Sequence, residues 1–339
     1  MSTETKARQG IAMKKFMNGV DAMLREALSG LAAAHADILS VSFDPTYVSR
    51  RRRAQSKVAL ISGGGSGHEP LHVGYVGTGM LDAACPGQVF TSPTPDQMLA
   101  AAEAVDTGKG VLFIVKNYSG DTMNFQMATE MLDIDNATVL VNDDVAVENS
   151  THTTGRRGVA GTLMVERVVG AAAEAGADLI TCKALGDRVN QNTASMGVAF
   201  TSCTVPAAGR PTFEIGDTEI EVGVGIHGEP GRRRERFKPA DAIAKDLVDA
   251  ILADLKPARG AGCLLHINGF GATPSMELYL LYHAARKRLE SFGLKVTRSL
   301  VGNYTTSLEM AGGSVTVTLL DSEIETLWDA PVHTAALHW

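Results

Sequence analysis

Apolar and polar positions along the first half of the chain follow two alternating periods. Over residues 16–33 the apolar side chains Phe16, Val20, Met23, Leu24, Leu28 and Leu31 recur at helical spacing, which predicts a helix. Residues 58–61 form a short continuous apolar run and predict a buried strand, closed by a dense glycine turn that delivers His68. Thr94-Pro-Asp-Gln97 has the form of a capping box with proline at the first helical position, opening a helix through Val105. Strands are predicted at 111–115 and 138–141, with a helix at 122–132 capped by Asp121 between them and a long helix at 159–175 after them. Buried strands alternating with helices define an α/β first domain, with a mostly parallel sheet and helices on both faces. The polar loops all follow strands, at the carboxyl ends where such sheets bind ligands.

The pattern changes after about residue 190. Runs 212–216 and 219–224 read as a hairpin joined at Gly216-Asp217, followed by an amphipathic helix at 239–255 carrying Ile243, Leu247 and Ile251. A strand at 264–267, a helix at 275–289 and strands at 294–300 and 315–320 complete a smaller α+β second domain. The expected division is therefore 1–190 and 191–339. No internal repeat and no low-complexity segment is evident.

Length agrees with two domains, since 339 residues exceed the usual size of a single core. The formal net charge of −7 argues against a general nucleic-acid binder. The four cysteines are scattered with no C-x-x-C pair, which points to a reduced compartment and no zinc site. No apolar run reaches membrane-spanning length and the start, Met1 to Gln9, is polar, so a soluble cytoplasmic protein without membrane contact is expected.

Three motif matches fail on their context. His68-Glu-Pro-Leu-His72 spells the zinc-helix pattern H-E-x-x-H, but Pro70 lies inside it, a glycine turn precedes it and no third ligand follows. Gly223-Val-Gly-Ile-His-Gly228 spells G-x-G-x-x-G, yet Glu229-Pro-Gly-Arg-Arg-Arg is no helix start. The Arg50–Arg53 run reads as a solvated loop. The glycines before His68 resemble a phosphate loop lacking its lysine.

What remains is a set of polar side chains on loops. His227 stands between glycines in Gly225-Ile-His-Gly-Glu-Pro-Gly231, an unusual place for a structural histidine. His68 ends the glycine-rich segment. Asp121, in Lys116-Asn-Tyr-Ser-Gly-Asp121, reads equally as an ordinary helix cap or as a functional carboxylate. Two histidines, a lysine and an aspartate on such loops suit a small polar substrate whose hydroxyl is activated by a general base.

These residues lie in segments that resemble the dihydroxyacetone kinase family, specifically its substrate-binding K subunit. The segments are Gly63-Gly-Gly-Ser-Gly-His-Glu-Pro70, Phe90-Thr-Ser-Pro-Thr-Pro95, Lys116-Asn-Tyr-Ser-Gly-Asp121, Asn142-Asp-Asp-Val-Ala-Val147, Gly155-Arg-Arg-Gly158, Cys203-Thr-Val-Pro-Ala-Ala-Gly209, Gly225-Ile-His-Gly-Glu-Pro-Gly231 and Trp328-Asp-Ala-Pro-Val-His333. The likeness runs from about Met13 to the C-terminus. It implies a two-domain subunit of a dihydroxyacetone kinase, usually a homodimer, that binds the short-chain ketose dihydroxyacetone, with His227 adding to its carbonyl to form a hemiaminal. It implies that His68 and Asp121 flank the reacting hydroxyl, one taking its proton and the other polarising it. Gly65, Ser66, Gly67 and Lys116 correspond to substrate-contacting positions. The resemblance places the nucleotide, as Mg-ATP or as Mg-ADP recharged by a phosphotransferase system, on a separate all-helical L-type subunit. The chain alone is then expected to be inactive and to hold no cofactor or metal of its own. A tetrulose such as erythrulose, or a ligand-sensing co-activator role, are the alternatives it leaves open. The segment between Leu255 and Gly262 is shorter than in many family members.

Overall fold

The computed structural model describes residues 14–147, 153 and 155–339, so the polar start at Met1 to Gln9 lies outside the described residues. Two six-stranded sheets organise them. The first is built from β1 (Leu39–Phe43), β2 (Thr46–Arg50), β3 (Ala59–Ser66), β4 (Ala83–Val89), β5 (Val111–Lys116) and β6 (Asn136–Val141), in the order β1-β2-β4-β3-β5-β6. The four strands from β4 to β6 are parallel, and only the β1–β2 hairpin joins antiparallel at one edge.

Both faces of this sheet are apolar where β5 and the first half of β3 are continuous hydrophobic runs. Helices α2 (Pro95–Val105) and α3 (Ser119–Met131) cover one face, packing Met98, Ala101, Phe125 and Ala128 on Ile61, Phe113 and Val115. Helices α4 (Gly161–Glu174) and α5 (Leu179–Gln191) cover the other, packing Leu163, Val168, Cys182 and Leu185 on Leu60, Leu112, Ile114 and Val139. Successive residues of β3 and β5 thus point to opposite cores. Each such side chain contributes about 1.5–3 kcal/mol by leaving water.

The second sheet holds β7 (Thr193–Ala199), β8 (Glu219–Val222), β9 (Arg233–Arg236), β10 (Gly262–Gly269), β11 (Lys295–Gly302) and β12 (Gly312–Leu320), in the order β9-β8-β7-β12-β10-β11. Only β10 and β11 pair parallel. Helices α6 (Ala240–Leu255) and α7 (Ser275–Phe292) cover one face, with Ile243, Leu247, Ile251, Leu278 and Leu289 against Met196, Leu265, Val315 and Val317. The opposite face is buried but polar, and its hydroxyls pair across strands: Thr193 with Thr318 at 2.9 Å and Ser195 with Thr316 at 2.7 Å. Mostly parallel α/β and smaller α+β parts are therefore both present, as expected. The chain's end returns to the first part: α8 (Ser322–Asp329), Val332 and Leu337 join the α4 core, and His333–Thr334 pairs with Gly77–Thr78. Among the described residues no helix is long and apolar enough to cross a membrane.

Several expectations are corrected. The first helix, α1, is Met23–Ala34 and does not reach Phe16, which is exposed with Val20 because nothing packs there. The glycines after Ile61 are not a turn: β3 runs on through Ser66, and only Gly67, with φ +100°, turns the chain. Helix α3 begins at Ser119 with Tyr118 at its N-cap, so Asp121 stands inside the first turn and is not the cap. The hairpin expected from 212–216 does not form; β8 pairs instead with β9, where Glu221 meets Arg234 at 3.2 Å. Arg50 is not solvated: it ends β2 and pairs with Asp82 and Glu174, each at 2.7 Å. Arg51 and its two neighbours are exposed, as expected of a surface run. The Thr94 capping box is formed, with Gln97 Oε1 accepting from Thr94 N at 2.9 Å.

Candidate active site

The carboxyl ends of β3 and β5 and the loop between β8 and β9 converge on one cleft of about 420 Å³. Gly65, Phe90, Ser92, Tyr118, Asp121 and His227 are among its lining residues, with Thr212 opposite.

His227 sits at the tip of the β8–β9 loop. The loop is fastened from the first part of the chain: the fully buried Arg157 donates to Gly223 O at 2.7 Å while its Nε donates to Asp144 at 2.7 Å. The imidazole is oriented by Glu229, whose Oε1 lies 3.0 Å from Nδ1 and whose Oε2 accepts the His227 backbone N–H at 2.9 Å. Burial works against charge on Glu229, but the His227 ring, its hydrogen bond and Arg157 outweigh burial and hold the carboxyl down at about 2. An ionised carboxylate only accepts, so Nδ1 carries a proton and the lone pair of the neutral ring is the one on Nε2. Three rings hold the plane: Tyr118, His68 and Phe90 meet the His227 ring edge-on, at centroid distances of 4.6, 4.7 and 5.1 Å. Phe90 itself has φ +55°, a strained backbone for a bulky residue and one placed at the site.

His68 lies one ring behind the cleft wall, stacked on Phe90 at 4.8 Å. Its Nδ1 is 2.8 Å from the Thr306 carbonyl, which can only accept, so Nδ1 donates and Nε2 is a lone-pair acceptor with no partner. Burial first, then His227 and Lys116, push its pKa well below 6.5, and the ring is neutral at neutral pH. Asp121 reaches the cleft directly from the first turn of α3. One oxygen, Oδ2, lies 3.5 Å from Lys116 Nζ, and Oδ1 is buried without a partner.

Lys116, at the end of β5, is buried behind Asp121 rather than on the cleft wall. Gly64 explains the close quarters: a Cβ there would stand 2.2 Å from Lys116 Nζ and 3.5 Å from both Asp121 Oδ2 and His72 Nε2. Of the other expected positions, Gly65 lines the cleft, whereas Ser66 spends its hydroxyl on Gly87 O at 2.7 Å and Gly67 donates its N–H to Glu69. His68 and His72, which spelled a zinc helix, occupy a turn and face different networks. The segment after Gly228 leads into β9, so the G-x-G-x-x-G spelling opens no helix. Glu229, Phe90, Tyr118 and Arg157 were not singled out from the sequence. Only their membership in quoted motifs marked them, since a carboxylate two residues beyond a histidine is unremarkable in one dimension.

The arrangement defines a class: an α/β protein with a carboxylate-paired imidazole and an aspartate whose Oδ1 has no protein partner on the wall of one cleft. The family is narrower. Residues 29–336 match the Dak1 domain, and the chain belongs to that family. It is 50% identical over 314 residues to the PTS-dependent dihydroxyacetone kinase 1, dihydroxyacetone-binding subunit DhaK, of Listeria innocua, covering 92% of this chain and 95% of that protein. Its fold matches the dihydroxyacetone kinase of C. freundii in its native form with TM-score 0.84 and 35% identity, over 95% of this chain and 60% of that one. It also matches the dihydroxyacetone kinase operon co-activator Dha-DhaQ with TM-score 0.86 and 34% identity, over 92% of this chain and 96% of that one.

Proposed function

We propose that this chain is the substrate-binding subunit of a dihydroxyacetone kinase, holding the ketose on His227 while a hydroxyl of the substrate is phosphorylated. The observation that carries the reading is the pairing of His227 with Glu229, which leaves Nε2 free on the wall of a cleft shared with Asp121. In the first step the Nε2 lone pair adds to the ketone carbon and the carbonyl π electrons pass to oxygen, which takes up a proton from solvent. The imidazole becomes positive as the bond forms and keeps its Nδ1 proton, donated to the ionised Glu229, which stabilises the charge in the adduct. The trap selects ketones over plain alcohols, because an alcohol has no carbon to accept the lone pair.

In the second step Asp121 is the base. It lines the cleft and its Oδ1 has no other partner, whereas His68 stands behind a ring and polarises the site. Residues 1–190 supply Gly65 and Asp121 and residues 191–339 supply Thr212 and His227, so the cleft lies where the two proposed units meet. The phosphoryl group would come from an L-type partner subunit, as the γ-phosphoryl of ATP or of ADP first recharged by a phosphotransferase system, and magnesium on that subunit would supply the charge neutralisation that the transfer needs. The resemblance also proposes a homodimer, which sedimentation of the purified chain tests.

A co-activator role is the second reading, favoured by the likeness to Dha-DhaQ. Retention of His68, Asp121 and His227 together supports the kinase. A coupled assay with a purified L-type partner decides: formation of a phosphorylated short ketose supports the kinase, and ligand binding without product for any short ketose overturns it. Running dihydroxyacetone beside erythrulose assigns the substrate.

A further inference from the structure

A buried chain of hydrogen bonds runs away from the cleft behind Asp121. Lys116 Nζ lies 3.5 Å from Asp121 Oδ2, 3.4 Å from Gly63 O and 2.9 Å from His72 Nε2. His72 Nδ1 in turn lies 2.6 Å from Glu166 Oε1, from the middle of α4, and 2.9 Å from Ser62 Oγ, which donates to Ile114 O at 2.6 Å. Lys116, His72 and Glu166 are all buried, the last completely. Such a polar line between a sheet and its covering helix is costly unless every member is placed by the next.

The donors and acceptors fix its direction. An ammonium only donates, so His72 Nε2 accepts from Lys116 and Nδ1 must carry the proton, given to Glu166 Oε1. Burial and Lys116 push the His72 pKa well below 6.5, which keeps that neutral tautomer. Burial pushes the Glu166 carboxyl up to about 8. A protonated carboxyl still accepts through Oε1, with its proton on the unpartnered Oε2. Three of the ammonium's directions are then assigned: His72, the Gly63 carbonyl and Asp121.

We propose that His72, oriented by Glu166, is a positioning residue for the phosphoryl-transfer step, aiming the Lys116 ammonium at Asp121 through its Nε2 acceptor. Neither residue touches the cleft, and the effect runs through Lys116. The inference rests on the reading of Asp121 as the base. Had the line only filled space between β3, β5 and α4, any polar side chain of similar volume would serve. If it aims Lys116, an acceptor in the Nε2 position decides kcat, and the Nδ1 contact with Glu166 only holds the ring that presents it.

Glutamine and asparagine separate these cases. The amide of His72→Gln reaches the Nε2 position and can accept from Lys116; the amide of His72→Asn reaches only the Nδ1 position. The test measures kcat and KM with the L-type partner, native mass of the ketose adduct and melting temperature for both variants, Glu166→Gln and the unaltered chain. The expected result is a kcat for His72→Asn at least tenfold below that of His72→Gln, with unchanged adduct occupancy in both. Glu166→Gln, which keeps an acceptor for Nδ1–H, stays within about threefold of the unaltered chain. Equal kcat values for the Gln and Asn variants overturn the inference, as does a loss of adduct in parallel with kcat. An unaltered chain that forms no phosphorylated ketose overturns the underlying reading, and the inference with it.

Discussion

Glu229→Gln preserves side-chain volume and removes one charge beside the proposed nucleophile. The Glu229 carboxyl is displaced from its ordinary 4.5 to about 2, which corresponds to roughly 3 kcal/mol in favour of the ionised form. Burial opposes that form, so the favourable contributions, from His227 first, then Arg157 and a backbone hydrogen bond, together exceed the net figure. Glu229 is only 4% exposed, and solvent screening removes little of it. If His227 accounts for half or more, the positive imidazole formed on addition loses about 1.5–3 kcal/mol, a roughly 10- to 100-fold drop in adduct at equilibrium. The amide also turns an N–H donor toward the His227 backbone N–H, so any relaxation adds to the loss. Native mass spectrometry across a dihydroxyacetone titration reads the adduct fraction directly. A second readout follows from linkage. A carboxyl whose folded pKa lies below its unfolded value adds stability above about pH 4.5 and loses it as pH falls through about 2. The acid limb of the melting profile should therefore be shallower in the variant. An adduct fraction equal to that of the unaltered chain refutes the assignment of Glu229 as the orienting and charge-stabilising group.

His227→Ala should give no adduct at any ketose concentration while the melting temperature changes little, because the ring is partly exposed on the cleft wall; mass spectrometry and calorimetry check this. Asp121→Asn should retain the adduct but lower kcat by about 100-fold or more in the coupled assay. Since Tyr118 rather than Asp121 holds the cap position, helix α3 should be intact by circular dichroism. Gly64→Ala places a Cβ against Lys116 Nζ and should cost about 1–3 kcal/mol in chemical denaturation while lowering kcat; wild-type values for both would show that the ammonium has room to move.

The central strands were legible because β3 opens on the apolar run Ala59–Ile61, β5 is apolar from Val111 to Val115 and β6 ends in Val139–Val141, runs that need no knowledge of their neighbours. Strand β4, with the sequence Ala-Ala-Cys-Pro-Gly-Gln-Val, carries a proline and a glycine and reads as loop; the sheet accepts it because Gln97 bonds the Pro86 carbonyl at 2.9 Å. Strand β7 alternates small polar and apolar residues, and its polar side is buried against partners more than 120 residues away, Thr316 and Thr318. Phe16 and Val20 kept helical spacing without any surface to bury against. Arg50 was misread for the same reason in charge: its partners, Asp82 and Glu174, are distant along the chain. At the site, His68, Asp121 and His227 stood out as reactive residues on glycine-rich loops. The geometry supplied what spacing could not: the partner that leaves Nε2 of His227 free, the bare Oδ1 of Asp121, and the reason for Gly64. The glycines of β3 are selected mainly for close approach within a strand, a use that composition alone does not distinguish from a turn.

A crystal of the unaltered chain soaked with dihydroxyacetone addresses the central claim most directly. The account predicts continuous density from His227 Nε2 to a tetrahedral carbon, with a hydroxyl of the ketose within hydrogen-bond reach of Asp121. A planar ketone held in the cleft without a bond to His227, or bound elsewhere, would contradict it.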